Sequence, residues 1–295
     1  MKTNRTDTRP RVHPYAAMTL GILAVSTGAI FARLADAPAL VTAAYRVGLA
    51  VVVLAPLTWF TARQELCSLS RRDLALAVLS GFFLALHFAF WISSLDYTSV
   101  SNSVVLVNTN PLWVGIMTPF LTGDRLRPLM IVSILISVAG GVLIGAGDLA
   151  VGTQVLWGDL LAILGGICAA AYLLLGRNLR SHLSLLAYVT VCYGSAALIL
   201  WGLVLALGLP LAGFTTGTWA SFAGLALVSQ VMGHTSYNWA LKWCSAGLIA
   251  ISLLGEPVIS SILAFFLFDE GFTTLKLLGG GCILVSIYIA ARAEQ

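Results

Sequence analysis

The sequence predicts an all-α polytopic membrane protein of ten transmembrane helices, built as two inverted five-helix repeats with both termini cytoplasmic. Three observations carry that prediction. Hydrophobic residues make up 59% of the 295-residue chain and charged residues only 9%, against about 25% charged in an ordinary soluble protein; the mean hydropathy is +0.95. The apolar residues gather in runs of about 20, the length that crosses about 30 Å of hydrocarbon at about 1.5 Å per residue. A shift of 146 positions lays the chain on itself, carrying Leu95 to Leu241, Ser99 to Ser245, Pro111 to Pro257, Phe120 to Phe266 and Asp124 to Glu270.

In chain order, residues 1–14 form a polar tail with Lys2, Arg5, Arg9 and Arg11. The next run, from about 15 to 32, competes with a cleaved signal peptide, because Ala35-Asp36-Ala37 mimics a small-residue cleavage site. Its length, the intervening Arg33 and a similar segment opening the second half favour a retained first helix. Further runs cover about 40–62, 73–95, 99–121, 128–146, 156–176, 184–207, 218–240, 246–268 and 274–291. Runs this long exclude barrel strands. The repeats are expected over 15–148 and 156–292, as one integrated unit with no long loop. Grouping alternate connections with the tail collects 13 of the 16 Lys and Arg residues, leaving Arg33 and Lys276 opposite and Arg46 inside a helix. That bias puts both termini in the cytoplasm. With five helices per half, the second copy is inverted, an arrangement typical of secondary transporters with a midplane site between the copies.

Several classes are excluded. The five cysteines are scattered, so neither a disulfide framework nor a zinc knuckle is indicated, and small buried hydrophobes are the expectation for them. Basic residues lie in short loops rather than in a stripe, which argues against nucleic acid. No G-x-x-x-x-G-K-[ST] loop, H-E-x-x-H or G-x-S-x-G sequence is present, so neither an ATP engine nor a hydrolase is expected, and no metal or cofactor is called for.

Polar residues inside the apolar runs are the candidate site. Proline at 111 or 257 removes a backbone donor and crowds the carbonyl of Val107 or Leu253, and broken helices at midplane leave backbone free to meet a ligand. Glu256 is the acid in a helix centre, where an ionised carboxylate is disfavoured without a partner; it is a candidate for proton coupling, for substrate contact or for bracing the kink. Gln230, His234 and Tyr237 or Asn238 share a helix face at spacings of three and four, as do His87 and Trp91. His87 and His234 lie 147 apart, one residue off the repeat, which puts two imidazoles at nearly one depth. Asn108 and Asn110 are favoured for the cavity, Ser101 and Asn102 for interhelical bonding. Trp91, Tyr172, Tyr237 and Trp239 are placed to line a cavity, whereas Trp59, Trp157 and Trp219 lie near helix ends as interfacial anchors. Arg46 is expected to be structural, paired with backbone carbonyls or a carboxyl group.

Paired five-helix halves, a proline in each fourth helix, the acidic turns Gly123-Asp124-Arg125-Leu126 and Asp269-Glu270, and Glu256-Pro257 together resemble the EamA-type branch of the drug/metabolite transporter superfamily. The centre formed by His87, Trp91, Asn108, Asn110 and Trp113 is most similar to the YddG-type amino acid exporters. The resemblance implies a multi-pass carrier of the cell inner membrane that exports amino acids, aromatic or other hydrophobic ones foremost, by alternating access. Glu256, His87, His234 and the asparagines would hold the backbone groups of the substrate, with Trp91 and Tyr237 flanking its side chain. The expected partners are that small molecule, or a similar metabolite, and the lipid bilayer, a monomer being allowed. The alternatives are export of another metabolite or of a drug-like cation and, further off, a membrane enzyme or a channel.

Overall fold

A computed structural model describes residues 10, 12–121, 127–146, 153–268 and 273–294. The tail arginines Arg5, Arg9 and Arg11, and the acidic turns bearing Asp124, Asp269 and Glu270, lie outside the described residues. Among the described residues all regular structure is helical. In order come α1 (Pro14–Val25), α2 (Gly28–Leu34), α3 (Ala39–Cys67), α4 (Arg71–Ser94), α5 (Val100–Val107), α6 (Asn110–Leu121) and α7 (Pro128–Ala146). Then follow α8 (Thr153–Arg180), α9 (Leu185–Ala206), α10 (Thr216–Gly224), a π-helix (Leu225–His234), α11 (Thr235–Ala240), α12 (Ala246–Leu253), α13 (Gly255–Phe268) and α14 (Thr274–Glu294). Among the described residues, seven stretches are long and apolar enough to cross a membrane: Pro14–Leu34, Ala39–Cys67, Arg71–Ser94, Asn102–Leu121, Thr153–Arg180, Leu185–Ala206 and Ala246–Leu267. Pro128–Leu143 and Leu277–Ala290 are shorter apolar helices.

Hydroxyl caps start many of these helices. Ser70, Ser99, Ser184, Thr215 and Ser245 each accept a hydrogen bond from the backbone N–H three residues on, satisfying a donor that the first helical turn leaves orphaned. Ser99 and Ser245 are one repeat shift apart and do the same job. Ser245→Ala is expected to lower stability by about 1 kcal/mol, read as a lower thermal unfolding midpoint in detergent, with Ser99→Ala costing a similar amount.

The helices expected to be bent or broken at Pro111 and Pro257 are broken. α5 stops at Val107 and α6 starts at Asn110; α12 stops at Leu253 and α13 starts at Gly255. Each proline thereby falls in the first turn of the following helix, where its missing N–H costs no hydrogen bond. The Val107 carbonyl beside the break meets α8 at Gly166, where a Cβ would come within 2.6 Å of that oxygen. Two further departures were not expected. The first run is interrupted at Ser26 and Thr27, whose hydroxyls donate to the carbonyls of Ile22 and Ala24, each at 2.7 Å, competing with the helical ladder. The 218–240 run is π-helical in its middle, and the Thr235 N–H reaches back five residues to the Gln230 carbonyl.

In the packing, α4 lies against α8 and α9, α3 against α9, α7 against α14, and α1 against the π-helix. The α4–α9 crossing is the tightest of these approaches: a Cβ on Gly81 would sit 2.0 Å from Ser195 Oγ and 2.3 Å from the Cys192 carbonyl oxygen. Such small-residue contacts let helices associate where lipid removes the hydrophobic drive between them. Phe60, Phe120, Leu198, Phe266 and Leu277 point outward and are exposed, a surface suited to hydrocarbon and untenable in water. Trp59, Trp157 and Trp219 are exposed as well, as anchors would be.

Two arginines hook helix ends. Arg33 Nη1 donates to the Leu95 carbonyl at 2.6 Å, and Arg177 Nη1 to the Leu241 carbonyl at 2.5 Å. Leu95 and Leu241 are the C-caps of α4 and α11, so each guanidinium meets the negative end of a helix dipole. The two acceptors are again one repeat shift apart. All five cysteines are free thiols, but only Cys168, Cys192 and Cys244 are buried. Cys67, at the end of α3, is exposed and Cys282 is half-buried, so the packing expectation holds for three of the five.

Candidate functional site

The broken helices surround a cavity of about 40 Å³. Its wall takes Val25 from the end of α1, Arg46 from α3, His87 and Trp91 from α4, Val107 and Asn108 from the α5 break, and Asn110 from the start of α6. Ala169, Tyr172 and Leu173 come from α8, His234 from the π-helix, Tyr237 from α11, Leu253 from the end of α12 and Glu256 from the first turn of α13. Eight of the nine residues expected in the site therefore line one space. The ninth, Gln230, is fully buried just behind it, and its Oε1 accepts from Arg46 Nε at 2.9 Å. The volume suits water and lies far below the roughly 300–1,000 Å³ of a ligand pocket.

Glu256 sits at the N-terminal end of α13, where unpaired N–H groups and the helix dipole favour a carboxylate. Its Oε2 accepts from Asn108 Nδ2 at 3.2 Å, and the same amide donates to the Val104 carbonyl at 2.8 Å. The residue at the end of the α5 break is thus tied to the residue at the start of the α13 break, across the two halves of the sequence. Asn110 is buried and its Oδ1 has no hydrogen-bond partner among the described residues.

The histidines meet, with ring centroids 6.3 Å apart. His87 Nδ1 lies 3.0 Å from the Gly165 carbonyl oxygen; a carbonyl only accepts, so that nitrogen carries the proton. The His87 ring lies parallel to Trp91, with 6.0 Å between centroids and 7° between planes. His234 packs against Phe88, Tyr172 and Tyr237.

The corrections concern Arg46, Trp239, Asn238 and Trp113, and the hydroxyl of Tyr172. Arg46 is paired neither with a backbone carbonyl nor with a carboxylate: its partner is the Gln230 side chain, and its guanidinium lies over the rings of Phe88 and Trp91, 4.1 and 5.6 Å from their centroids. Spacing alone missed this residue as a cavity group, although a lone arginine inside an apolar run was the available signal. Tyr172 lines the cavity with its ring, but its hydroxyl accepts from Asn238 Nδ2 at 2.6 Å and so points away from a ligand. Trp239 is outside the cavity, packed beside Trp243. Asn238 also turns away; its side-chain amide donates to the Tyr193 hydroxyl, and its backbone carbonyl accepts from Arg180 Nε at 2.8 Å. Trp113, part of the expected centre, donates locally to Thr109 Oγ1.

Helical structure throughout the described residues, with membrane-crossing stretches round a largely apolar cavity that holds a few charged and polar side chains, is the architecture of a membrane transporter of small molecules. The profile of the EamA-like transporter family matches residues 14–146 and, a second time, 156–292, and the chain belongs to that family, within the drug/metabolite transporter superfamily. Its members are transporters, and the chain is accordingly no enzyme. It is similar to the uncharacterized transporter YyaM of Bacillus subtilis (strain 168), at 26% identity covering 76% of this chain and 75% of that one. An uncharacterized transporter of Archaeoglobus fulgidus is 27% identical over 75% of this chain and 77% of its own, and YetK of B. subtilis is 24% identical over 88% and 80%. One solved crystal structure superposes with a TM-score of 0.75 at 18% identity, covering 95% of this chain and 97% of the other, which establishes likeness of fold.

Proposed function

We propose that this chain is a ten-span carrier of the cell inner membrane, made of inverted copies over 15–148 and 156–292, that exports amino acids by alternating access. Ten spans follow if the continuous helical stretch 216–240 and the two shorter apolar helices cross along with the seven longer stretches. The twofold profile match and the position pairs 146 apart support the duplication. The observation that carries the substrate reading is the cavity itself: one space is lined by a carboxylate (Glu256), a guanidinium (Arg46), amides (Asn108, Asn110), imidazoles (His87, His234) and aromatic rings (Trp91, Tyr172, Tyr237). An aromatic or other hydrophobic amino acid matches that set, with charges of both signs at its backbone end and an apolar body for the rings.

The test is flux in proteoliposomes of the purified chain. Preloaded phenylalanine or leucine is expected to drive saturable counterflow of the labelled amino acid, and cells expressing the carrier are expected to accumulate less of a toxic aromatic analogue. Absence of counterflow with every amino acid tried, together with uptake of a lipophilic amine, sinks this reading in favour of a drug-like cation. That alternative rests on Glu256 alone, and Arg46 in the same cavity opposes it.

A further inference from the structure

We propose that Arg46 is the receptor for the carboxylate of the transported molecule, an assignment that rests on the amino acid reading above and specifies how the site recognises its substrate. Arg46 is 1% exposed, in the interior of α3. Among the described residues no carboxylate lies within ion-pairing distance of it: the salt bridge found joins His182 to Asp73 elsewhere. Its Nε is used by Gln230, while its Nη1 is buried with no partner. A guanidinium cannot shed its charge as a lysine can, so burying it with no directly paired counter-ion is costly, and Glu256 acts on it only through space. The ring faces of Phe88 and Trp91 offset part of that cost and leave the unpartnered N–H edge available.

The other orphaned polar atoms around the cavity tell what is missing. Arg46 Nη1 and Trp91 Nε1 can only donate, and both lack acceptors. The Tyr237 hydroxyl and His234 Nδ1 are buried without partners as well, and either can donate. A carboxylate, with two oxygens able to accept several hydrogen bonds, is the small group that satisfies this set at once. On the accepting side stand the Glu256 carboxylate and the unpartnered Asn110 Oδ1, which complement an ammonium. Arg46 and Glu256 line the same cavity and are not ion-paired with each other, so once the cavity widens they face the two ends of a zwitterion. A cation would leave Arg46 unanswered.

The experiment uses purified full-length protein and four ligands of one shape: L-phenylalanine, L-phenylalaninamide, phenethylamine and 3-phenylpropionate, with binding read from concentration-dependent thermal shifts. Phenylalanine is expected to bind at least about 30-fold more tightly than its amide, since the amide leaves a buried guanidinium unpaired. Arg46→Gln is expected to abolish that discrimination, bringing the two affinities within about threefold, and Arg46→Lys to retain part of it; a purely structural role for Arg46 would lower stability without equalising the pair. The wild-type comparison stands even where the variants fail to fold. Equal binding of phenylalanine and its amide, tighter binding of phenethylamine, or stabilisation by no carboxylate overturns the proposal. Binding of 3-phenylpropionate but not of phenylalanine would instead keep Arg46 as the carboxylate receptor and overturn the amino acid reading.

Discussion

Glu256→Gln is expected to lower amino acid flux by about 10- to 100-fold with little change in stability. The substitution preserves volume, and the new amide oxygen can still accept from Asn108 Nδ2, so the link between the α5 and α13 breaks survives. What disappears is the group able to carry a negative charge. A hydrogen bond to a charged group contributes about 1.5–3 kcal/mol against about 1 for a neutral one, and the reaction coordinate of a carrier passes through the bound state, where that difference is felt. Proteoliposome flux for wild type and variant, normalised to protein and checked by unfolding midpoints, measures the effect. Flux within twofold of wild type would return Glu256 to the role of a brace. The position within the first turn of α13 makes the variant tolerable, since the unpaired N–H groups of a first turn donate to an amide oxygen nearly as well as to a carboxylate.

Gly81 carries the second large effect. Gly81→Val is expected to prevent assembly of a stable protein, and Gly81→Ala to destabilise by at least about 1–3 kcal/mol, because even one methyl group would lie 2.0 Å from Ser195 Oγ and 2.3 Å from the Cys192 carbonyl oxygen. The serine can rotate away; the carbonyl is backbone and cannot. Gly194→Ala and Gly202→Ala, on the partner helix α9, provide the opposite sign. Nothing lies within 4 Å of a Cβ at either position, so each should be neutral or stabilising by up to about 1 kcal/mol, the helix-propensity gain of alanine over glycine. Unfolding midpoints in one detergent test all four. A Gly81→Ala protein as stable as the Gly194→Ala protein would mean that the α4–α9 crossing yields to a methyl group and overturn this prediction.

Much of this arrangement was legible in the sequence because lipid restricts the options. Run length and composition define helices, and a proline in an apolar run marks an interruption, which is why the breaks near Pro111 and Pro257 were anticipated. Buried polar residues in such runs are costly, and on that ground Glu256, the two histidines and the asparagines were singled out; they share one cavity. What escaped prediction depends on information that spacing does not hold. The π-winding of Leu225–His234 keeps the apolar composition of an α-helix and changes only the turn. The interruption at Ser26 and Thr27 uses residues that elsewhere sit quietly in helices with their hydroxyls bonded to the preceding turn, as Thr42 and Thr58 do. Arg46 finds its partner 184 positions away in Gln230, and the hydroxyl of Tyr172 is turned by Asn238, 66 positions away. Local pattern is silent on such pairings.

The arginine hooks bear on how such a molecule rests. Arg33 on Leu95 and Arg177 on Leu241 use the same chemistry, a guanidinium on a helix-end carbonyl, at acceptors one repeat shift apart. If the halves are inverted as proposed, the two catches act as matched weights on opposite faces, and neither face is favoured by them. Any standing tilt toward one face then falls to positions where the copies differ, foremost the carboxylate of Glu256 against the amide of Asn110.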